Sequence, residues 1–227
     1  VQTCALPICD RDSINTALFE ERCKDIYKEL GSVNDAILIF SDNITVQDSN
    51  KKHIPFRNKN TFWQNCSEDS IKLAQGKGRM DPLLKLYEGC RVMLPCNINV
   101  KEGKANGTQA TLEKVILKHG QQPGHVLIAG NIPIKAVFAS QVSYVILRHT
   151  NERIEPPTFN VRPKQHTFKA KILKPQALQV KGDDREVLQM KATQIPVVVN
   201  NATTGHKLQG TGVDSLFVHN WSYVTNW

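Results

Sequence analysis

The run Ile195-Pro196-Val197-Val198-Val199 carries no polar side chain and delivers the chain almost directly into Ala202-Thr203-Thr204-Gly205-His206-Lys207-Leu208-Gln209-Gly210. A continuous apolar stretch of strand length reads as a strand covered on both faces, as in a parallel sheet packed between helices. Loops at the carboxyl ends of such strands bring backbone amides and side-chain donors together around anions. Here a hydroxyl, an imidazole and an ammonium follow in quick succession at Thr204, His206 and Lys207. Phosphate is the anion such a loop suits.

A second run, Ala36-Ile37-Leu38-Ile39-Phe40, has the same character. Before it, Phe19, Cys23, Ile26, Tyr27 and Leu30 fall on one helical stripe, with Asp12 or Ser13 as the N-cap and Gly31 as the stop. The expected unit is a helix covering a buried strand. Ser41-Asp42-Asn43 then reads as a turn and cap. Residues 51–80 read as a long surface excursion ending in the basic, glycine-rich Gln75-Gly76-Lys77-Gly78-Arg79.

From Leu84 the pattern changes to short alternating runs: Leu84 to Leu94, a Gly89 turn, then Asn97 and an Asn106-Gly107 pair. These predict short antiparallel strands with a tight hairpin. Further strands are expected at 111–117, 125–128, 132–137, 143–147 and 167–173, punctuated by Gly120, Gly124, Gly130-Asn131 and Pro156-Pro157. Leu216-Phe217-Val218 is one more strand candidate.

The net charge of +8 favours a polyanionic partner, although solvated lysines give the same total. Six cysteines lack paired C-x-x-C spacing and read as reduced thiols. Five Asn-x-Ser/Thr sequons, at Asn43, Asn65, Asn106, Asn201 and Asn220, are too common a pattern to imply secretion. No apolar run approaches the ~18 residues of a membrane span, so no membrane partner is expected.

The pattern Ala202-x-Thr204-x-His206-Lys207-x-Gln209-Gly210, with Asp214 beyond it, resembles motif V of the superfamily 1 DNA helicases of the Pif/RecD type. The stretch Leu84 to Thr108 resembles the small SH3-like insertion of the same helicases, with Lys104 in place of the usual Leu and Ala110 where Gly is common. Asn43-x-x-Val46-x-x-x-Asn50 resembles their motif IV region, Asp42 replacing a threonine. The order of these segments matches the family, and the resemblance spans residues 10 to 227.

The resemblance implies an α/β fold: a RecA-like second motor domain, with a parallel sheet flanked by helices, interrupted by an SH3-like small β-barrel. Segments 9–82 and 191–227 would form the motor domain and 83–190 the insertion. Val1 to Ile8 resemble a translated sequencing adaptor and are set aside, and the sequence reaches Trp227 before the Ser-Arg pair that the resemblance implies, so both ends are expected to be truncated.

By the same resemblance, Thr204, His206, Lys207, Asn43 and Asn106 would contact nucleic acid, and Gln209 and Gly210 would face a nucleotide cleft. Gly205 stands where Ile or Val is usual, Leu208 where Ser is common, and Asn200-Asn201 replaces a small or aromatic pair. The implied activity is ATP-dependent translocation on single-stranded DNA and unwinding at forks, in repair, recombination or telomere maintenance. The implied cofactors are ATP and Mg2+. The implied protein is a monomer whose commonest setting is the nucleus, with mitochondria as another.

This chain contains neither G-x-x-x-x-G-K-[ST] nor an Asp-Glu dipeptide, so no catalytic residue is assigned in it and it is expected to be inactive alone. The alternative reading is a non-enzymatic nucleic-acid-binding β-barrel module.

Overall fold

The computed structural model describes residues 8–47, 51–55, 80–81, 83–128, 131–151, 154–173 and 185–201. One α-helix, α1 (Ile8–Leu30), precedes strands β1 (Ala36–Phe40), β2 (Asp42–Gln47) and β3 (His53–Pro55). Then come β4 (Leu83–Tyr87), β5 (Arg91–Met93), β6 (Gln109–Leu117), β7 (Gly124–Ile128), β8 (Ile132–Phe138) and β9 (Val142–His149). The series closes with β10 (Thr158–Val161), β11 (Lys164–Leu173), β12 (Arg185–Gln194) and β13 (Val198–Val199). The described fold is thus α/β with mixed sheets and a single described helix.

Three sheets are built from these strands, in the orders β4-β1-β8-β7, β10-β9-β6-β5-β13 and β11-β12-β2-β3. The first has β1 at its centre because every residue of that strand is apolar. Its side chains alternate between faces, and both faces are covered. Ala36 and Leu38 meet Phe19, Cys23 and Ile26 of α1 together with Ile132 and Ile134. Ile37 and Ile39 turn the other way, with Leu84 and Leu86, into a larger core shared with Val92, Leu94, Ala110, Leu112, Val145 and Leu147 of the second sheet and the loop beside it. The first sheet is therefore the middle layer between the helix and the second sheet.

The helix stops where expected. Gly31 takes φ of 66° and its N–H donates to Tyr27 O at 2.9 Å, a left-handed C-terminal cap that a residue with a Cβ adopts only under strain. Its packed stripe is narrower than expected. Tyr27 lies about 100° around the helix from the buried Ile26 and is exposed, and Leu30 in the last turn is 69% exposed. The helix also starts earlier, at Ile8 rather than at Ser13. Burial pushes the thiols of Cys23 and Cys90 up to about 11, so both stay protonated at neutral pH.

The pairing corrects the parallel sheet expected around β1 and the extent of the strand expected at 195–199. The sheet around β1 is mixed, not parallel: β1 runs parallel to β8 but antiparallel to β4. β13 joins the second sheet antiparallel to β5, and only Val198 and Val199 of the 195–199 run are strand. Pro196 explains the short strand, because proline has no N–H for a ladder. Ile195 and Val197 are buried all the same, as that apolar run predicts. β4 and β8, both from the stretch read as an insertion, flank β1, and β12 runs unbroken through Met190.

The Gly89 turn is not a hairpin. Gly89 N–H donates to Leu112 O at 2.7 Å and Cys90 N–H to Tyr87 O at 3.0 Å, so the turn passes the chain from the first sheet to the second. The expected antiparallel pair is β5–β6, whose connection carries Asn106-Gly107, with Arg91 opposite Thr111 and Met93 opposite Gln109. Nor is Ser41-Asp42-Asn43 a turn, since β2 begins at Asp42. Asp42 does act as a cap, but of a distant segment. Its carboxylate accepts from Ser140 N–H at 3.2 Å and from the Ser140 hydroxyl, closing the short 3-10 turn Ala139–Gln141.

Candidate nucleic-acid interface

Thr204, His206, Lys207, Gln209 and Gly210 lie outside the described residues. The segment leading to them is described. Gln194, the last residue of β12, is fully buried. Its Nε2 donates to Ile39 O at 3.2 Å and to Asp81 O at 3.0 Å, while its Oε1 accepts from Ile195 N–H at 2.9 Å. One amide thus ties the third sheet, the central strand of the first and the start of the 195–199 run. Sequence reasoning passed over this residue because a glutamine before an apolar run carries no local signal. Farther on, Val198 and Val199 pair with Met93 and Val92, and Asn200 N–H donates to Arg91 O at 2.9 Å. The chain is held by backbone hydrogen bonds up to Asn200, beside the edge of the second sheet.

Asn106 lies in the connection between β5 and β6. Leu94 N–H donates to Thr108 O at 3.0 Å and Gly107 N–H to Leu94 O at 2.8 Å, which extends the ladder beyond the strand ends. Asn97 Oδ1 accepts from Asn106 N–H at 2.7 Å. The Thr108 hydroxyl accepts from Ala105 N–H at 3.1 Å and donates to Gly103 O at 2.8 Å. Gly103 adopts φ of 73° to close the 3-10 turn Val100–Glu102. These bonds leave the Asn106 side chain exposed at a turn whose backbone is well tied.

The two nearby lysines differ. Lys101 is exposed, whereas Lys104 pairs with Glu102 at 2.5 Å and lies 5.8 Å from the centre of the Phe159 ring. Lys101 is therefore the better placed of the two to meet an anion. Asn43 is exposed in β2 with φ of 51°, a left-handed conformation that asparagine tolerates better than most residues. Asn43 belongs to the third sheet and Asn106 to a connection of the second, so the two do not share a strand pair.

Beneath the loop, His149 is buried with its ring 4.4 Å from that of Phe159, and its Nδ1 has no hydrogen-bond partner among the described residues. Burial first, and the Lys104 ammonium second, hold its pKa below the ordinary 6.5. Between the lowered folded value and the ordinary one, the unfolded chain binds more protons than the native chain, so stability rises with pH across that window. Stability is expected to be lost as pH falls below about 6.5, and His149→Phe is expected to flatten this dependence. Urea midpoints across that range, for the parent chain and the variant, check the slope.

Among the described residues no group of three His, Cys, Asp or Glu side chains could hold a metal ion. No described helix is long and apolar enough to cross a membrane.

No protein-family model and no curated protein matches the chain. Solved structures similar to it include Pif1 helicases. The Candida albicans Pif1 helicase is 17% identical with a TM-score of 0.43, the match covering 88% of this chain and 35% of that one. The Bacteroides Pif1 bound to single-stranded DNA is 18% identical with a TM-score of 0.36, covering 84% and 30%. The Bacteroides Pif1 helicase in complex with ADP-AlF3 and single-stranded DNA is 18% identical with a TM-score of 0.40, covering 90% and 30%. This chain spans about a third of the length of these structures.

Proposed function

We propose that this chain is a portion of a helicase-related protein of the Pif/RecD type, and that its task is to hold the sugar-phosphate backbone of single-stranded DNA. The observation that carries this is the pattern Ala202-x-Thr204-x-His206-Lys207-x-Gln209-Gly210, reached from a buried and hydrogen-bonded run. Lys207 would act as a point charge and Thr204 as a donor to phosphate oxygens. Asn106 and Lys101, exposed on the β5–β6 connection, would add contacts that do not depend on base identity. In the whole protein, ATP and magnesium held outside this chain would supply the closure that moves the strand. Repair, recombination or telomere work, and residence in the nucleus, belong to the same proposal.

The test is binding of fluorescent single-stranded oligonucleotides by the full chain across a salt series. Lys207→Ala is expected to weaken binding about equally for all sequences and to lower the salt slope by about 0.7, one phosphate's share for a single strand. A loss confined to some sequences, or an unchanged slope, would count against the assignment.

The predominantly antiparallel pairing favours a second reading, a binding module with no motor function. Reading the gene outward separates the two. A phosphate loop in the same frame upstream supports the motor, and its absence supports the module.

A further inference from the structure

Asn106-Gly107 is the one Asn-Gly dipeptide in the sequence. The Asn106 side chain is exposed. Gly107 adopts φ of 91°, and a Cβ placed on it would meet nothing within 4 Å. An exposed asparagine followed by a residue without a side chain is chemically vulnerable, because the next backbone nitrogen has unhindered access to the side-chain amide carbon. Here that nitrogen is engaged: Gly107 N–H donates to Leu94 O at 2.8 Å. The flanking bonds, Asn106 N–H to Asn97 Oδ1 at 2.7 Å and Thr108 N–H to Ala105 O at 3.0 Å, hold the turn in the same state.

We propose that Asn106 is a latent deamidation site, held off in the closed turn by the Gly107–Leu94 hydrogen bond and released when the turn opens. On opening, the Gly107 nitrogen gives its proton to a solvent base and bonds to Asn106 Cγ. Nδ2 takes a proton back from solvent, the Cγ–Nδ2 bond breaks and ammonia leaves, closing a five-membered succinimide. Water then adds to either ring carbonyl and opens the ring to aspartate or isoaspartate. No oxidant or enzyme takes part. Either product places a carboxylate where the amide was neutral. Isoaspartate also lengthens the backbone by one carbon, which shifts Gly107 and Thr108 out of step with Leu94. The reaction therefore converts a transient opening of this loop into a permanent change of charge and register.

The reaction rate follows the population of the open turn, so it reads local rather than global unfolding. The test incubates the full chain at neutral pH, folded and in concentrated urea, and follows the Asn106 peptide by mass and by isoaspartate content. Conversion in the folded chain is expected to be at least about tenfold slower than in urea, the factor set by the cost of opening. Asn97→Ala, which removes the acceptor for Asn106 N–H, is expected to bring the folded rate towards the urea rate. Asn97→Asp keeps an acceptor oxygen and is expected to restore protection. Amide hydrogen exchange at Gly107 in the parent chain is expected to change in step with deamidation across a urea series, which keeps the test valid if a variant fails to fold. Equal rates in folded and unfolded chains, no conversion in urea, or exchange that does not follow deamidation would each overturn the proposal. None of these readouts involves DNA, so they stand apart from the functional reading.

Discussion

Replacing Leu86 by alanine is expected to destabilise the protein by about 2–5 kcal/mol, the range for a large aliphatic side chain removed from a rigid core. Leu86 is fully buried and belongs to the core formed where the first sheet faces the second. It pairs with Ile37 of the central strand, and the same core includes Val92, Leu112 and Leu147 from strands hydrogen-bonded in another sheet. Two ladders hold these neighbours in place, so they cannot collapse into the vacated volume, and the cavity term adds to the lost transfer free energy. Total stability of a domain this size is about 5–15 kcal/mol, so a large share would go. Urea unfolding is expected to show a lower midpoint at unchanged slope. Leu127, 64% exposed on the edge strand β7, is the control: its alanine variant is expected within about 0.5 kcal/mol of the parent chain. Equal effects at both sites would mean that the two sheets do not pack as described.

The second large effect is at Gln194. Gln194→Leu keeps the volume roughly constant but removes a donor from Ile39 O and Asp81 O and an acceptor from Ile195 N–H, all at a buried junction. Leaving buried polar groups without a partner costs about 1–3 kcal/mol each, partly recovered by relaxation, so about 2–4 kcal/mol is expected. Gln194→Glu is the sharper test. The second oxygen of the new carboxylate would face two carbonyl oxygens, so burial would favour the protonated form and raise its folded pKa. Above the unfolded value of about 4.3 the unfolded chain would then hold fewer protons than the native one, and stability would fall as pH rises. If the stability of the Gln194→Glu variant does not fall between about pH 4.3 and neutrality, the site is wet. If Gln194 also aims the chain towards residues 202–210, Gln194→Leu is expected to weaken single-stranded DNA binding at temperatures where it remains folded.

What could be read in advance follows how local each feature is. The strand Ala36–Phe40 was legible to the residue, because an unbroken apolar run bounded by polar residues has one inexpensive conformation beside water-excluding neighbours. The Gly31 stop was legible because a left-handed cap favours glycine. Strands β6, β7, β8 and β9 were found to within a few residues at their ends by alternation and turn chemistry. β2, β3, β10 and β12 were not found. β12 buries Met190, Ala192 and Gln194 on one side, and a buried glutamine in a strand that also carries lysine, threonine and arginine breaks the apolar rhythm on which detection depends. Of the candidate site, Asn43, Asn106 and the apolar lead-in to Asn200 are described. Asp42 was singled out for the wrong turn, because its partner Ser140 is far along the chain.

The sequence by itself determined where chain segments are extended, where they must turn, and which short pattern offers phosphate-binding groups, since each depends on side chains within a few residues of one another. Only the tertiary structure decided which strands are neighbours. Backbone N–H and C=O groups are the same at every residue, so a ladder identifies no partner, and the choice falls to side-chain packing across long loops. That packing placed β4 and β8 on either side of β1, sent β13 to β5, and buried Gln194 where the three paths meet.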